Sequence, residues 1–452
     1  MRLITPQSKV VIAILSLLLT FFVWKQGLEK SFERPSVAPQ LLIKQQEIAV
    51  LAEPSLPQEL KNVLAGQDQK LFLKETLSKI PLEDMEPRQR LLLASLEQVG
   101  SRRDDLLSAP INERDLKIVK DILLKAVDDS EKLDEKIKAL QKTDLDPLLY
   151  RLSCLGIGGT NEICVDKVIS QTMAFRLITS QGLPLISVLL GIGLIFRQAW
   201  RLFRKTNSPW PKITTIPLSF VDMVLLIAGG FVLLGEVFSP LISLPLIRII
   251  TSHLSDPLQE SLKVFIGYVG MTIPPLFIFS RQLQGIESPV LPAGKWLQWQ
   301  LSPLKKAFLD AFQGWLIVTP FVLLVSLVMN YFFGDPGGSN PLLEMVLMSK
   351  DFWALGIIFI TTALLAPLFE EFLFRGVLLP VLIGQQGKTL AVVISAFVFA
   401  LAHLSVGELP PLFVLGVGLA LLRLSTGRLL PCVIMHSLWN GITFTNLVLL
   451  SS

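Results

Sequence analysis

Long apolar segments separated by short polar connections make up most of this chain. They lie at 10–24, 177–196, 216–238, 262–279, 312–333, 352–369, 389–403, 412–424 and 430–450, with a further apolar stretch at 241–250. A helix that crosses a bilayer needs about 20 mostly apolar residues, so several of these segments are short and their ends stay open. The pattern predicts nine membrane helices and a shallow segment at 241–250.

The region 26–174 has a different pattern, in which apolar residues recur at helical spacing between charged ones. Leu116, Val119 and Ile122 share one helix face, and Ile137 and Leu140 repeat the arrangement. The region contains no metal-binding or phosphate-binding motif. It predicts a small all-helical domain that serves in interaction or as a spacer. The predicted fold class is therefore all-α: a polytopic helical membrane protein with a small helical extramembrane domain after the first span.

The composition agrees with this division. Of 452 residues, 51% are hydrophobic and 17% are charged, with a mean hydropathy of +0.57 and a net charge of +4. Soluble domains carry about 25% charged residues, so the deficit indicates a membrane protein. Three cysteines exclude a disulfide-dense scaffold and a cysteine-rich zinc module. A disulfide between Cys154 and Cys164 stays open, and it requires that this stretch face an oxidising compartment.

The distribution of positive charge predicts the orientation. Arg2 and Lys9 precede the first apolar segment, and no small-x-small cleavage site follows it, so 1–25 is predicted to be an uncleaved signal anchor. Alternating spans place further basic clusters on the same side, at 197–205, 295–306, 388 and 423–428. That side is predicted to be cytoplasmic. The protein is then a multi-pass protein of a plasma or inner membrane, with 26–174 extracytoplasmic and additional membrane spans in 175–300.

Two carboxylates and a guanidinium stand out inside the apolar region, in the stretch APLFEEFLFRGVLLP. Burying a charge in hydrocarbon costs several kcal/mol, so such residues usually line a site. On a helix Glu371 and Arg375 are at i and i+4 and share a face, whereas Glu370 lies about 100° away. Arg375 is then expected to hold Glu371, leaving Glu370 free to take a proton from water and return it to a leaving amine. The alternative is a buried ion pair with one additional acid near the membrane surface.

Two of the three histidines follow in apolar segments. His403 has Phe399 one helical turn before it, and His436 has Asn440 one turn after it. Neutral imidazoles bind a divalent metal or donate hydrogen bonds to an oxyanion, and an amide can orient a ligand. The alternative is that both histidines are packing residues. His253 lies in a polar connection and is predicted to be a solvated loop residue.

These three motifs in this order resemble those of the CAAX protease and bacteriocin-processing family, which includes the type II CAAX prenyl proteases. The resemblance covers about 312–452, and 301–452 is predicted to be the protease domain. It implies an intramembrane endopeptidase, a hydrolase in which Glu370 activates water. His403, His436 and Asn440 would complete the catalytic site, with Glu371 and Arg375 in support.

The metal requirement is open at this stage. Glu370, His403 and His436 could hold one divalent metal such as zinc, as in a metalloprotease with an open water position. They could equally form a site that requires no cofactor, which we favour slightly because the chain lacks the compact HExxH helix of soluble zinc proteases. Simple alternation of spans also places Glu370 and His436 towards the cytoplasmic side and His403 towards the far end of its span. Pro367, Pro380 and Pro431 are candidate helix breaks that would let the three meet.

The expected substrate is a membrane-embedded protein or a lipid-anchored peptide, reached from the cytoplasm or sideways from the lipid bilayer. Prenylated CAAX substrates are implied by analogy alone, and no nucleic-acid partner is predicted. The main alternative is a non-proteolytic membrane immunity or scaffolding protein that retains the motif residues. A transporter or proton relay is a further alternative, since intramembrane acids and histidines mark ion paths, but the chain shows no inverted repeat.

Overall fold

A computed structural model describes residues 5–34, 36–61, 68–124, 133–206, 209–284, 286, 294–334 and 338–451. Of these, 81% are helical and none is in a strand. The chain forms two compact units, residues 38–185 and residues 1–37 with 186–452. The predicted all-α class is confirmed.

The helices of eight or more residues are numbered in chain order. They are α1 Pro6–Glu33, α2 Ala38–Ala52, α3 Gln69–Ser78, α4 Pro87–Leu96, α5 Ser101–Ser108, α6 Arg114–Leu124, α7 Leu133–Gln141, α8 Pro147–Gly156, α9 Lys167–Phe203, α10 Phe220–Ile250, α11 Asp256–Leu283, α12 Leu304–Phe333, α13 Pro341–Met348, α14 Phe352–Gln386, α15 Lys388–Leu401, α16 Leu409–Thr426 and α17 Leu430–Ser451. Short helical turns lie at Glu53–Ser55, Gln58–Leu60, Asn161–Cys164 and Lys295–Leu297.

The smaller unit is a helical domain with its own apolar core. The predicted helix face is buried, since Val119 and Leu140 have 0% of their surface exposed and Ile137 has 4%. Cys154 and Cys164 are joined by a disulfide with a Cα–Cα distance of 5.7 Å. A disulfide persists in oxidising compartments, and it therefore supports the predicted extracytoplasmic location of this domain.

The larger unit carries the membrane spans. Among the described residues eight helices are long and apolar enough to cross a bilayer: α1, α9, α10, α11, α12, α14, α16 and α17. The protein is a multi-pass integral membrane protein. Two predictions are corrected: the shallow segment at 241–250 continues the preceding span as one helix, α10, and the segment at 389–403 forms α15, a helix of 14 residues.

The predicted breaks at prolines in α14 are wrong. Pro367 and Pro380 both lie inside this continuous helix of 35 residues. The helix instead widens into π-type turns at Ile360–Leu365 and Phe372–Leu378, before and after the two glutamates. Such turns re-aim side chains within a helix and are frequent at functional sites. Pro431 lies in the first turn of α17, where a proline is tolerated.

The short helix α15 removes the predicted conflict in depth. Fourteen residues rise about 21 Å at 1.5 Å each, less than the roughly 30 Å hydrocarbon core. Glu370 lies 16 residues before Gln386, where α14 ends, and His403 lies 15 residues after Lys388, where α15 begins. Because α14 and α15 are joined only by Gly387, Glu370 and His403 lie at about the same depth.

Candidate active site

A buried ion pair and a histidine form the base of the site. Arg375 donates from Nη1 to Glu371 Oε1 at 2.8 Å, as the i and i+4 spacing predicts, and from Nη2 to the Gly416 carbonyl at 3.0 Å. His436 Nδ1 lies 2.9 Å from the same Glu371 oxygen. Glu371 and Arg375 have 0% of their side-chain surface exposed, and His436 has 2%. A carboxylate of α14 therefore positions a histidine of α17.

Glu370, unlike the buried and paired Glu371, is partly exposed and has one unpaired oxygen. Its side chain is 17% exposed, and its Oε2 lies 4.0 Å from His403 Nε2 and 3.8 Å from His436 Nε2. That oxygen has no hydrogen-bond partner among the described residues. Three helices thus bring one unpaired carboxylate oxygen and two imidazole nitrogens together, as the sequence motifs predicted. The separations leave room for a small group between them.

The other nitrogen of each imidazole ring is already engaged. His403 Nδ1 lies 2.8 Å from the Phe399 carbonyl oxygen, which can only accept, so Nδ1 carries the proton. His436 Nδ1 faces the Glu371 carboxylate in the same way. In the neutral form both Nε2 atoms are therefore hydrogen-bond acceptors. The point between the two rings and Glu370 is surrounded by acceptors, and it suits a group that donates protons or carries positive charge.

Aromatic packing holds the two histidines in place. The Phe399 ring lies 4.8 Å from the His403 ring and 5.6 Å from the His436 ring, edge to face in both cases. The Arg375 guanidinium lies 4.3 Å from the centre of the Phe399 ring. Because aromatic pairs prefer this edge-to-face geometry, Phe399 positions both imidazoles at once.

Two further polar side chains reach the site. Asn440 donates from Nδ2 to the Thr362 carbonyl at 2.9 Å, and this leaves its second N–H and its carbonyl oxygen for other partners. Tyr268, on α11, donates its hydroxyl to Glu370 Oε1 at 3.3 Å. Tyr268 belongs to none of the sequence motifs. It lies in a span outside the motifs, and only its polar hydroxyl within an apolar helix could have signalled it.

The site lies in the wall of a cavity of about 560 Å³. The lining combines Glu370, His403, His436 and Asn440 with apolar side chains of α11, α12, α13, α14, α16 and α17. The volume is in the usual range for a small-molecule or peptide side-chain site. His253 lies elsewhere, exposed in the connection between α10 and α11, as predicted.

The end of α1 holds the loop that follows His403. Arg34 donates from Nη2 to the Leu404 carbonyl at 2.5 Å, and Ser31 Oγ accepts from the Val406 N–H at 3.0 Å. Gly338 lies against Ser31, and its N–H donates to the Arg34 carbonyl at 2.9 Å. Leu404 has a φ of +49°, which is uncommon for a residue with a side chain. Ser405 Oγ donates to the Gly338 carbonyl at 2.6 Å. We call these contacts of Ser31, Arg34 and Gly338 with residues 404–406 the α1 clamp.

The residues fit a metal in kind but not in spacing. Glu370, His403 and His436 offer the donor types that zinc prefers, and each ring is oriented through its other nitrogen. Ligand atoms about 2.1 Å from a tetrahedral ion lie about 3.4 Å apart, closer than the 3.8 and 4.0 Å found here. No group of three or more His, Cys, Asp or Glu in the described part of the chain has metal-binding geometry.

Fold and site together define a class: a multi-pass helical membrane protein with a carboxylate and two imidazoles converging inside the bilayer region. Comparison with known families agrees. Residues 352–442 match the family of type II CAAX prenyl endopeptidases described as Rce1-like. The match includes all six predicted site residues, and it confirms the resemblance seen in the sequence. Residues 38–175 match a domain of unknown function.

One curated relative is similar over part of the chain. It is the membrane-embedded CAAX protease MroQ of Staphylococcus aureus (strain USA300), 28% identical over 137 residues, or 29% of this chain and 54% of the relative. The chain thus spans about half the length of this relative. No solved structure matches the chain.

Proposed function

We propose that this protein is an intramembrane endopeptidase that hydrolyses a peptide bond of a membrane-embedded or lipid-anchored substrate. The observation that carries the proposal is the unpaired Glu370 Oε2, placed 4.0 Å from His403 Nε2 and 3.8 Å from His436 Nε2 in a cavity wall. The family match of residues 352–442 and the similarity to a CAAX protease support it.

Glu370 is the general base in this proposal. A water held between Glu370 and the two histidines transfers a proton to Oε2 and attacks the carbonyl carbon of the peptide bond. The C–N bond then breaks, and Glu370 returns the proton to the leaving amine, as a positioned carboxylate can. Tyr268 holds the other oxygen, Oε1, and thereby orients the carboxylate towards the water.

The oxyanion needs donors, and the ring orientations limit which groups supply them. His403 Nε2 is an acceptor in the neutral ring and orients the attacking water. His436 Nε2 is likewise an acceptor in the neutral ring, whose Nδ1 lies 2.9 Å from Glu371. The N–H of Asn440 that does not bond Thr362 is the donor left for the oxyanion. Glu371 and Arg375 touch no reacting atom and act as positioning residues.

A divalent metal such as zinc remains a prediction from the sequence. Because the present separations of Glu370, His403 and His436 do not fit a tetrahedral ion, no step of the proposed reaction is assigned to a metal. A chelator comparison tests the requirement directly.

The experiment is cleavage of a membrane-peptide library by the purified full chain in lipid. Glu370→Gln should abolish cleavage, because the amide cannot accept the proton. Expression and thermal unfolding should stay unchanged. Glu260→Gln is the matched control, since Glu260 is an exposed acid of α11 that does not line the cavity. Cleavage that persists in Glu370→Gln would refute the proposed base. A wild type that cleaves no peptide would favour the immunity or scaffolding alternative, and loss of cleavage with chelator would favour the metal.

A further inference from the structure

The larger unit has one strongly basic end. Here Lys9 pairs with Asp222, Gln385 donates to the Leu218 carbonyl at 3.2 Å, and Arg428 donates to the Gln300 carbonyl at 2.7 Å. With the hydrogen bond from Gln282 to the Asp222 carbonyl at 2.9 Å, these contacts bring together the beginnings of α1, α10, α12, α15 and α17 and the ends of α11, α14 and α16. Further cations lie at this end or in its connections: Lys212, Arg281, Lys295, Lys305, Lys306 and Lys388.

The opposite end contains the α1 clamp, α13 and the loop after His403. The connections at this end, 251–255, 334–351 and 404–408, contain one lysine, Lys350. The helix ends beside them add Lys25, Lys30, Arg34, Arg248 and Lys263, which still leaves fewer cations here than at the basic end. Short cytoplasmic connections of membrane proteins carry the excess of lysine and arginine. The basic end is therefore cytoplasmic, and the α1 clamp and α13 face the other side.

In the helices that line the cavity, the lining residues lie mostly in the part of the helix that is farther from the basic end. α11 contributes residues of its first half, such as Tyr268, and α12 contributes residues of its last half, such as Ser326. α13 contributes Leu343 and its neighbours, and Glu408, in the loop after His403, completes the same wall. The cavity thus extends from Glu370 towards the end of the larger unit that carries fewer cations.

A closed layer separates the site from the basic end. Arg375, Phe399, Leu419 and Cys432 each lie about one turn closer to that end than the cavity residue on the same helix, and all are 0% exposed. Phe374 fills the same layer and is 1% exposed. These buried side chains close the side of the site that faces the basic end, because protein interiors are packed as densely as crystals.

We propose that the site opens to the extracytoplasmic side. Resting on the proposed function, this assigns the substrate class: a membrane-embedded or lipid-anchored peptide whose scissile bond lies in the outer half of the bilayer or just outside it. A cytoplasmic tail anchored to the inner leaflet is excluded, because its peptide bond would meet the closed layer. This differs from the access from the cytoplasm that the position of the motifs in their spans suggested.

The test is labelling of single introduced cysteines with a bulky, membrane-impermeant thiol reagent. The chain suits this assay, since Cys154 and Cys164 form a disulfide and Cys432 is buried. Leu343→Cys probes α13 at the cavity wall, and Ala366→Cys probes the depth of the cavity, one turn before Glu370. Lys388→Cys is the matched control, exposed at the basic end.

In intact cells Leu343→Cys and Ala366→Cys should be labelled and Lys388→Cys should not, and inside-out vesicles should label Lys388→Cys alone. Labelling of Ala366→Cys only in inside-out vesicles, or from neither side, would overturn the proposal. Labelling of Leu343→Cys in inside-out vesicles but not in intact cells would overturn it as well. The assay needs no catalysis, so it separates an error in the side of access from an error in the proposed protease activity, which Glu370→Gln tests.

Discussion

The α1 clamp predicts that the first span of this protein is needed to position His403. Gly338 is the sensitive point, because it has a φ of +74° and a Cβ added there would lie 2.2 Å from Ser31 Oγ and 2.8 Å from the Ser31 carbonyl oxygen. Gly338→Ala therefore forces Ser31 away from Val406, whose N–H it binds at 3.0 Å. The hydrogen bond is worth about 1 kcal/mol and the left-handed backbone costs an alanine about 1–2 kcal/mol. Together these lower the free energy of unfolding by about 2–3 kcal/mol.

The assay compares cleavage and thermal unfolding in the purified full chain. Gly338→Ala should lose most cleavage at a temperature where it is still folded, since residues 404–406 no longer hold His403 in place. Gly334→Ala is the matched control: Gly334 has a φ of +68°, and an added Cβ meets no atom of the described residues within 4 Å. An alanine there carries the strain of a positive φ without the clash. Equal cleavage by the two variants would refute the proposed role of the clamp.

Three other predictions follow from single contacts. Arg375→Met should lower the free energy of unfolding by about 3–5 kcal/mol, since it leaves the buried Glu371 carboxylate without its cation, and adding Glu371→Gln should restore part of the stability. Tyr268→Phe should reduce kcat about tenfold in the cleavage assay, the value of one hydrogen bond to a carboxylate, because Glu370 Oε1 loses its donor. Asp146→Asn should lower the unfolding temperature of the full chain at pH 7, with a difference that disappears in strong acid.

Each of these has a result that would contradict it. If the loss of unfolding free energy in the double variant Glu371→Gln/Arg375→Met equals the sum of the losses in the two single variants, Glu371 and Arg375 are not energetically coupled. Tyr331 is an exposed tyrosine at the end of α12, so Tyr331→Phe should have no effect on kcat. An equal loss of kcat in Tyr331→Phe would contradict the role of the Tyr268 hydroxyl in orienting Glu370.

The pH dependence follows from the pKa of Asp146. Burial raises that pKa, but two hydrogen bonds from Arg88 and its positive charge more than offset this and hold the pKa below the usual value. A lowered carboxyl pKa contributes stability above the unfolded-state value of about 3.9, and the contribution is lost as the pH falls through the folded-state pKa. A difference between wild type and Asp146→Asn that persisted well below that pH would contradict this cause.

Much of the candidate site follows from local sequence. The i and i+4 spacing determines that Glu371 and Arg375 pair and that Glu370 faces elsewhere, because the helix period is a property of the backbone. Apolar length likewise determines that the chain crosses the membrane many times, and the placement of cations predicts the orientation of the spans.

Tertiary structure decided what no local pattern contains. Tyr268 reaches Glu370, and the α1 clamp holds the loop after His403, only because spans distant in sequence pack together. The short α15 brings His403 to the level of Glu370, and hydrogen bonds to Phe399 and Glu371 select which imidazole nitrogens face the cavity. A sequence pattern records periodicity along one helix, whereas the depth of a residue, the tautomer of a ring and the closed end of a cavity depend on several helices at once.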